Sequence, residues 1–303
     1  MEQITIPKPA DLEGRIVQFE NENLEIPGIS SPHSREAFIL QLIDSIRDIE
    51  FCGVLSRKDY AESFSDPHAR NFNPLKGARY FHSNDELDEA VWLIFITIWF
   101  GKAKPGSWNL IRAFYSGINT NYIWTWENVT NHLDEFHSWL DGEMNNIKAH
   151  GKFGNHRKYE TLKNFGRSVE TYLEWVGSHY SHQLQLLHAI EEVGDTPSDL
   201  FDYLYETIGS VFRFGRMARF DFLCMLGKLN LYPIEPGSPY FKGATGPLKG
   251  AKDLFGANIS NSRLEELTIE LGRFLGYPFA MQIMEDAICN WQKSPNLYKR
   301  FTG

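Results

Sequence analysis

Two adjacent carboxylates, Glu285 and Asp286, lie in PFAMQIMEDAICNWQ, residues 278–292. At the helical angle of about 100° per residue they share one side with Gln282, Asn290 and Lys293, while Ile283, Met284, Ala287, Ile288 and Trp291 share the other. Such a pair can act as general base and acid or steer a cationic amine; the plain alternative is a solvated helix face. His156, in GNHRKYE, is a further candidate base, because Arg157 and Lys158 beside it favour the neutral imidazole. The alternative for His156 is a phosphate or backbone contact.

A second constellation is FRFGRMARFDF, residues 212–222. Phe212, Phe214, Met217, Phe220, Phe222 and Leu223 leave little of this predicted helix free of apolar groups, yet Arg213, Arg216, Arg219 and Asp221 lie on it. Burying a guanidinium costs several kcal/mol unless it is paired. Asp221 has Ala218 and Met217 at its i−3 and i−4 positions, so it is no partner within the helix. Either carboxylates from other helices satisfy the three arginines or a phosphate-bearing ligand does, a task that suits the planar guanidinium fork.

The third is GATGPLKGAK, residues 243–252, with Lys242 ahead of it. Glycines and a proline directly before a short helical run, ending at Leu254 and Phe255, present backbone N–H groups to an anion around Gly246, flanked by Lys249. The rhythm is similar to the hairpin of helix-hairpin-helix proteins, and it also fits a purely structural connector. It is not a Walker A loop.

The chain of 303 residues carries a formal charge of −9, with 30 Lys and Arg against 39 Asp and Glu. Against that trend, residues 148–167 carry six basic and one acidic residue, and residues 207–252 carry seven and two. The span 168–206 between them is acidic. Two islands favour a local phosphate pocket with a nearby backbone grip over an extended DNA-binding face. Cys52, Cys224 and Cys289 form no C-x-x-C pair, which fits a reducing, cytoplasmic setting. His132 and His137, like His179 and His182, lack the partners of a metal motif, and there is no G-x-S-x-G. No metal and no cofactor are expected. The longest apolar run, AVWLIFITIWF, stops after 11 residues at Gly101, so no signal peptide, membrane span or membrane partner is expected. No motif specifies an oligomeric state.

Helices must position these groups. Periodicity predicts them over 34–51, capped by Ser34, and over 85–100, with Ser83 and Glu86 as a capping box. Others are predicted near 107–116, 125–144, 160–176, 178–193, 197–229, 262–275 and 278–292, the fifth of these opening on Thr196-Pro197. Only EQITI and FENENLEI hint at extended chain. The fold class is therefore all-α. The expected organisation is an N-terminal extension, 1–33, a helical part, 34–150, and a second helical part with the basic motifs, 151–303, or one continuous domain, 34–303.

FGNHRKYET, FGRMARFDFLCMLGKL, IEPGSPYFKGATGPLKGAKDLF and MEDAICNWQKSP resemble the alpha-glutamyl/putrescinyl thymine pyrophosphorylase family, specifically its third clade. Weaker similarity in DELDEAVWLIFITIWFGK and FHSWLDG extends the resemblance over roughly residues 35–303. It implies an all-α enzyme on DNA bases, similar to phage proteins that build hypermodified thymines and linked to the fold of helix-hairpin-helix DNA glycosylases. In those systems 5-hydroxymethyluracil in DNA is activated as a pyrophosphate ester, and an amine such as glutamate or putrescine displaces pyrophosphate. The implied partners are thus DNA with a modified base and a small amine.

Under that resemblance Arg213, Arg216 and Arg219 would hold the departing pyrophosphate. Arg157, Lys158, Lys242, Lys249 and the N–H groups at Gly246 would grip phosphate or the DNA backbone. Asp286 or Glu285 would deprotonate the amine or stabilise a cationic centre, with Asp221 and His156 as further candidates, and Trp291 would stack on a flipped base. A rival reading is a DNA glycosylase excising a modified base in phage defence or repair, although glycosylases of this kind place their Asp closer to the hairpin than the 35 residues between Ala251 and Asp286. A third is a non-catalytic modified-base sensor.

Overall fold

A computed structural model describes residues 2–103, 108–154, 157 and 160–301. Among the described residues it is all-helical, with 14 α-helices and no strand. In chain order these are α1 (Pro9–Glu22), α2 (Pro32–Ser56), α3 (Pro74–Ser83), α4 (Leu87–Phe100), α5 (Asn109–Tyr115), α6 (Trp126–Asn131), α7 (Leu133–Ala149), α8 (Phe165–Val176), α9 (His182–Val193), α10 (Pro197–Thr207), α11 (Arg216–Lys228), α12 (Gly246–Phe255), α13 (Asn261–Leu275) and α14 (Ala280–Trp291). They form two compact units, one from residues 1–54 with 235–302 and one from residues 55–234. Among the described residues no helix is long and apolar enough to cross a membrane.

The first unit closes around aliphatic residues. Leu12, Ile16 and Phe19 of α1 recur at helical spacing and are buried with Phe38, Leu42 and Ile46 of α2, Leu264, Leu267 and Leu271 of α13, and Ile283, Ala287 and Ile288 of α14. FENENLEI is therefore not extended at its start: Phe19–Glu22 complete α1, whose first residue is Pro9. The cap of α2 is Ser31 rather than Ser34, because Ser31 Oγ accepts from the Ser34 N–H at 3.1 Å.

The second unit is built on aromatic rings around α4. The apolar run noted above becomes this helix, with Val91 to Ile96 no more than 1% exposed. Phe95 stacks on Tyr172 with centroids 3.8 Å apart, and Phe165, Phe214 and Phe222 complete the shell. Ser83 and Glu86 do not form a capping box. Ser83 ends α3, Asp85 turns the chain with φ 64°, and Glu86 precedes α4 without a side-chain cap bond.

Two expected long helices are broken. His132 interrupts 125–144 between α6 and α7. The span 197–229 breaks at 211–215, where tertiary partners take the backbone of Phe212 out of a helical pattern. The Phe212 N–H donates to Thr171 Oγ1 at 2.8 Å, and Ser168 Oγ donates to the Phe212 carbonyl at 2.8 Å. Arg213 then takes φ 55°.

Candidate functional site

In the first unit the candidate residues lie on α12, the turn before it, and α14. Gly243 turns the chain with φ 80°, the Ala244 N–H donates to the Phe241 carbonyl at 2.9 Å, and α12 opens on Gly246 and Pro247. Residues 229–245 contain no helix, so this turn lacks the preceding helix of a helix-hairpin-helix. Its glycines have a packing task. A Cβ on Gly250 would lie 2.5 Å from the Ile288 carbonyl oxygen, and one on Gly246 would lie 2.8 Å from Cys289 Sγ. The two glycines, four residues apart, let α12 press directly onto the backbone of α14. Gly250→Ala is accordingly expected to cost about 3 kcal/mol, because the rigid Ile288 backbone cannot yield, and urea unfolding of the variant measures it.

Lys242 is exposed, with no ion-pair partner among the described residues. Lys249 Nζ donates to Asp253 Oδ2 at 2.7 Å and to Gln292 Oε1 at 3.0 Å, tying α12 to the end of α14. The polar side of α14 is buried at its start and open toward its end, where Asn290 is half-buried and Lys293, just past the helix, is exposed. Gln282 and Glu285 are each 7% exposed and Asp286 is half-buried. The Gln282 Oε1 atom is buried with no hydrogen-bond partner, an arrangement that costs about 1–3 kcal/mol unless something donates to it. Along this face Cys289 meets Gly246 and Gln292 meets Lys249, so the α12 N-terminus lies about 9 Å or less along the α14 axis from Asp286. The entry to α14 is fixed by Glu235, whose Oε1 accepts the N–H of Phe279 at 2.7 Å. Burial raises the Glu235 carboxyl above its ordinary value, and that bond pulls it back in part. Trp291 is a core residue at 1% exposure. Its indole N–H donates to the Ser34 carbonyl at 3.2 Å and its ring meets Phe38 edge-on, which leaves no face for a base.

In the second unit the first basic island meets part of the second. Arg157 is 9% exposed, donates from Nε to the Trp99 carbonyl at 3.1 Å, and lies over the Trp99 ring at 4.5 Å. Burial lowers its pKa, Glu160 and Asp221 oppose that shift, and Arg213 adds to it. Asp221 on α11 thus faces a cation from another segment. Arg213 is not on α11 but precedes it, and its Nε donates to Glu160 Oε2 at 2.8 Å. Arg216 is the first residue of α11 and lies over the Phe220 ring at 5.0 Å. Arg219 donates to the Tyr205 carbonyl at 3.2 Å and covers the Tyr205 ring at 4.7 Å. For Arg213 a carboxylate from another segment supplies the pairing, and for Arg219 a carbonyl does. His156 and Lys158 lie outside the described residues.

One buried network escaped the sequence reading. Asp88 Oδ1 accepts the backbone N–H of His182 at 2.6 Å and its Nδ1–H at 3.0 Å, and His182 Nε2 lies 2.7 Å from the Tyr172 hydroxyl. Acceptance by the carboxylate places the His182 proton on Nδ1, so Nε2 accepts from Tyr172. Burial raises Asp88, yet the His182 bonds outweigh it and hold the carboxyl low; burial keeps His182 below its ordinary value. Beside it Glu89 accepts from the Trp126 N–H at 2.6 Å and bonds the Tyr115 hydroxyl. Burial pushes Glu89 up to about 7. The available signal was two acids, Asp88 and Glu89, at the head of the apolar run. Among the described residues no cluster of His, Cys, Asp and Glu is arranged to hold a metal.

The fold and these clusters define an all-helical protein with fixed cations and a buried acidic helix face. The chain belongs to the alpha-glutamyl/putrescinyl thymine pyrophosphorylase family, clade 3, whose sequence profile matches residues 33–303. The family is named for pyrophosphorylase-type chemistry on thymine. No curated protein and no solved structure gives a significant match to the chain.

Proposed function

We propose that this protein is a transferase acting on a thymine-derived base in DNA, exchanging the pyrophosphate of an activated 5-hydroxymethyluracil for an amine. The observation that carries the reading is the buried polar face of α14, on which Glu285 and Asp286 lie about two helical turns or less from the N-terminus of α12. Lys242 and the free amides of the α12 first turn suit a DNA backbone phosphate, which would bring the target base toward the carboxylates. In the reaction the amine nitrogen forms a bond to the methylene carbon as the C–O bond to pyrophosphate breaks. The pyrophosphate leaves with the bonding electron pair, and the nitrogen gives its surplus proton to Asp286 or Glu285.

The test incubates the protein and an amine with DNA carrying the pyrophosphate ester of 5-hydroxymethyluracil, 5-hydroxymethyluracil itself, or thymine. The expected result is a base whose mass gains the amine, with release of pyrophosphate, from the ester alone. Abasic sites would instead assign a glycosylase, and tight binding to unaltered DNA would assign a sensor.

A further inference from the structure

One helix of the second unit turns leucines to solvent. Nine large hydrophobic side chains are exposed among the described residues, and four of them, Tyr180, Leu184, Leu187 and Val193, fall within residues 180–193. Single exposed apolar residues are ordinary, whereas a cluster marks a surface that another molecule covers. His182 and Ala189 mark the buried side of α9. At about 100° per residue Leu184 and Leu187 lie about 140° and 160° round the helix from Ala189, on either side of the pole facing away from the core, and each is 48% exposed. The helix cannot roll to hide them, because its inner side is bonded in place. Asp88 holds the His182 backbone N–H and ring, Gln185 Nε2 donates to the Trp175 carbonyl at 3.0 Å, and the Tyr232 hydroxyl donates to the His182 carbonyl at 2.9 Å. Tyr180 is fixed as well. It takes φ 49°, and its carbonyl accepts the Trp126 indole N–H at 2.7 Å.

Charge decides what covers this face. Residues 168–206, running from within α8 through α9 into α10, hold eight Asp and Glu and no Lys or Arg, and all eight acids are exposed. Glu191 stands one turn beyond Leu187 on the same side of α9, with Glu192 beside it. DNA and an anionic lipid surface would meet like charge here, and a second copy of the chain would set one acidic surface against another. A cationic protein segment meets opposite charge. Leu184 and Leu187, three residues apart, have the spacing at which one helix offers apolar anchors to another. We propose that the outer face of α9 docks a basic amphipathic helix of a partner protein, whose apolar side covers Tyr180, Leu184 and Leu187 and whose Lys and Arg side chains reach Glu191 and Glu192. None of these residues belongs to the transfer chemistry proposed above, so docking adds a partner without altering the reaction.

The test titrates a synthetic helical peptide, with leucines at i, i+3, i+4 and i+7 and lysines elsewhere, into the full-length, ¹⁵N-labelled protein. The expected result is saturable shifts centred on the backbone amides of residues 180–193, with a dissociation constant in roughly the micromolar range that weakens as salt rises. A peptide of the same composition with its leucines scattered round the helix, and one with glutamates in place of the lysines, should each bind at least about tenfold more weakly. Leu184→Ser with Leu187→Ser, and separately Glu191→Lys with Glu192→Lys, should each weaken binding of the patterned peptide at least about tenfold. Both double variants change only exposed side chains, so their thermal unfolding should stay near that of the parent. Equal affinity for the scattered peptide would reduce the surface to bare charge, and equal affinity for the glutamate peptide would reduce it to apolar contact; either overturns the proposal. So would shifts centred elsewhere, unchanged affinity in either double variant, binding of anionic lipid vesicles through α9, or dimerisation in sedimentation that Leu184→Ser with Leu187→Ser abolishes.

Discussion

Glu89→Gln should match the parent protein in stability near pH 4.5 and exceed it by about 3 kcal/mol near pH 8. The reason is where Glu89 sits. Its carboxyl is buried at the start of α4, between the Tyr115 hydroxyl and the Trp126 N–H, and is raised from 4.5 to about 7. A folded-state pKa above the unfolded value means that the native state holds the proton more tightly. The associated stability is complete below about pH 4.5 and is lost as the pH rises through about 7, with each pKa unit worth about 1.4 kcal/mol. Glutamine imitates the protonated form, since its oxygen accepts from Trp126 and its amide donates to the Tyr115 oxygen. The variant should therefore lack this slope. Urea unfolding of both proteins from pH 4.5 to 8 gives the difference curve, and a difference that stays constant with pH would refute the assignment. His182 works in the opposite sense: lowered by burial, it costs stability as the pH falls through its ordinary value, in both proteins alike.

These groups mark the limit of what the chain discloses in one dimension. The apolar run over Ala90–Phe100 was legible as a helix because a fully buried helix needs no amphipathic rhythm, only length and apolar composition. The break at 211–215 was not, since it is imposed by Thr171 and Ser168, about forty residues earlier, bonding the backbone of Phe212. The same break decides the arginines. Periodicity placed Arg213, Arg216 and Arg219 on one helix as a single anion grip, whereas Arg213 sits before α11 with Glu160, and Arg219 is spent on Tyr205. Trp291 failed as a stacking platform for a related reason: its neighbours Ile288 and Ala287 are core, and a ring on that side of α14 goes with them. What was legible of the candidate site is the pairing of Glu285 and Asp286 with Gln282, which depends only on helical geometry. That this face is buried depends on contacts that no local pattern encodes.

Burial is what gives the α14 carboxylates the largest expected effect on activity. Asp286→Asn and Glu285→Gln keep the shape of the side chain and remove its ability to take a proton, so the fold should tolerate both where truncation to alanine would leave a hole in a buried face. A general base contributes about 10²–10⁴ in rate, so one of the two variants should lose at least about a hundredfold in kcat for amine transfer while its affinity for DNA is unchanged. Asp286, half-buried and a step nearer the α12 turn, is the one expected to do so; Glu285, at 7% exposure, is expected to set its charge and position. The split between kcat and DNA affinity separates this role from a structural one, because loosening of α14 would weaken the α12 turn and reduce both together. Raising the amine concentration or the pH should not rescue Asp286→Asn if the lost step is proton acceptance in the site, whereas a simple loss of amine binding would be overcome by saturation. Full activity in both variants would remove α14 from the chemistry and leave its acidic face, like the Asp88 and Glu89 pair, as part of the scaffold.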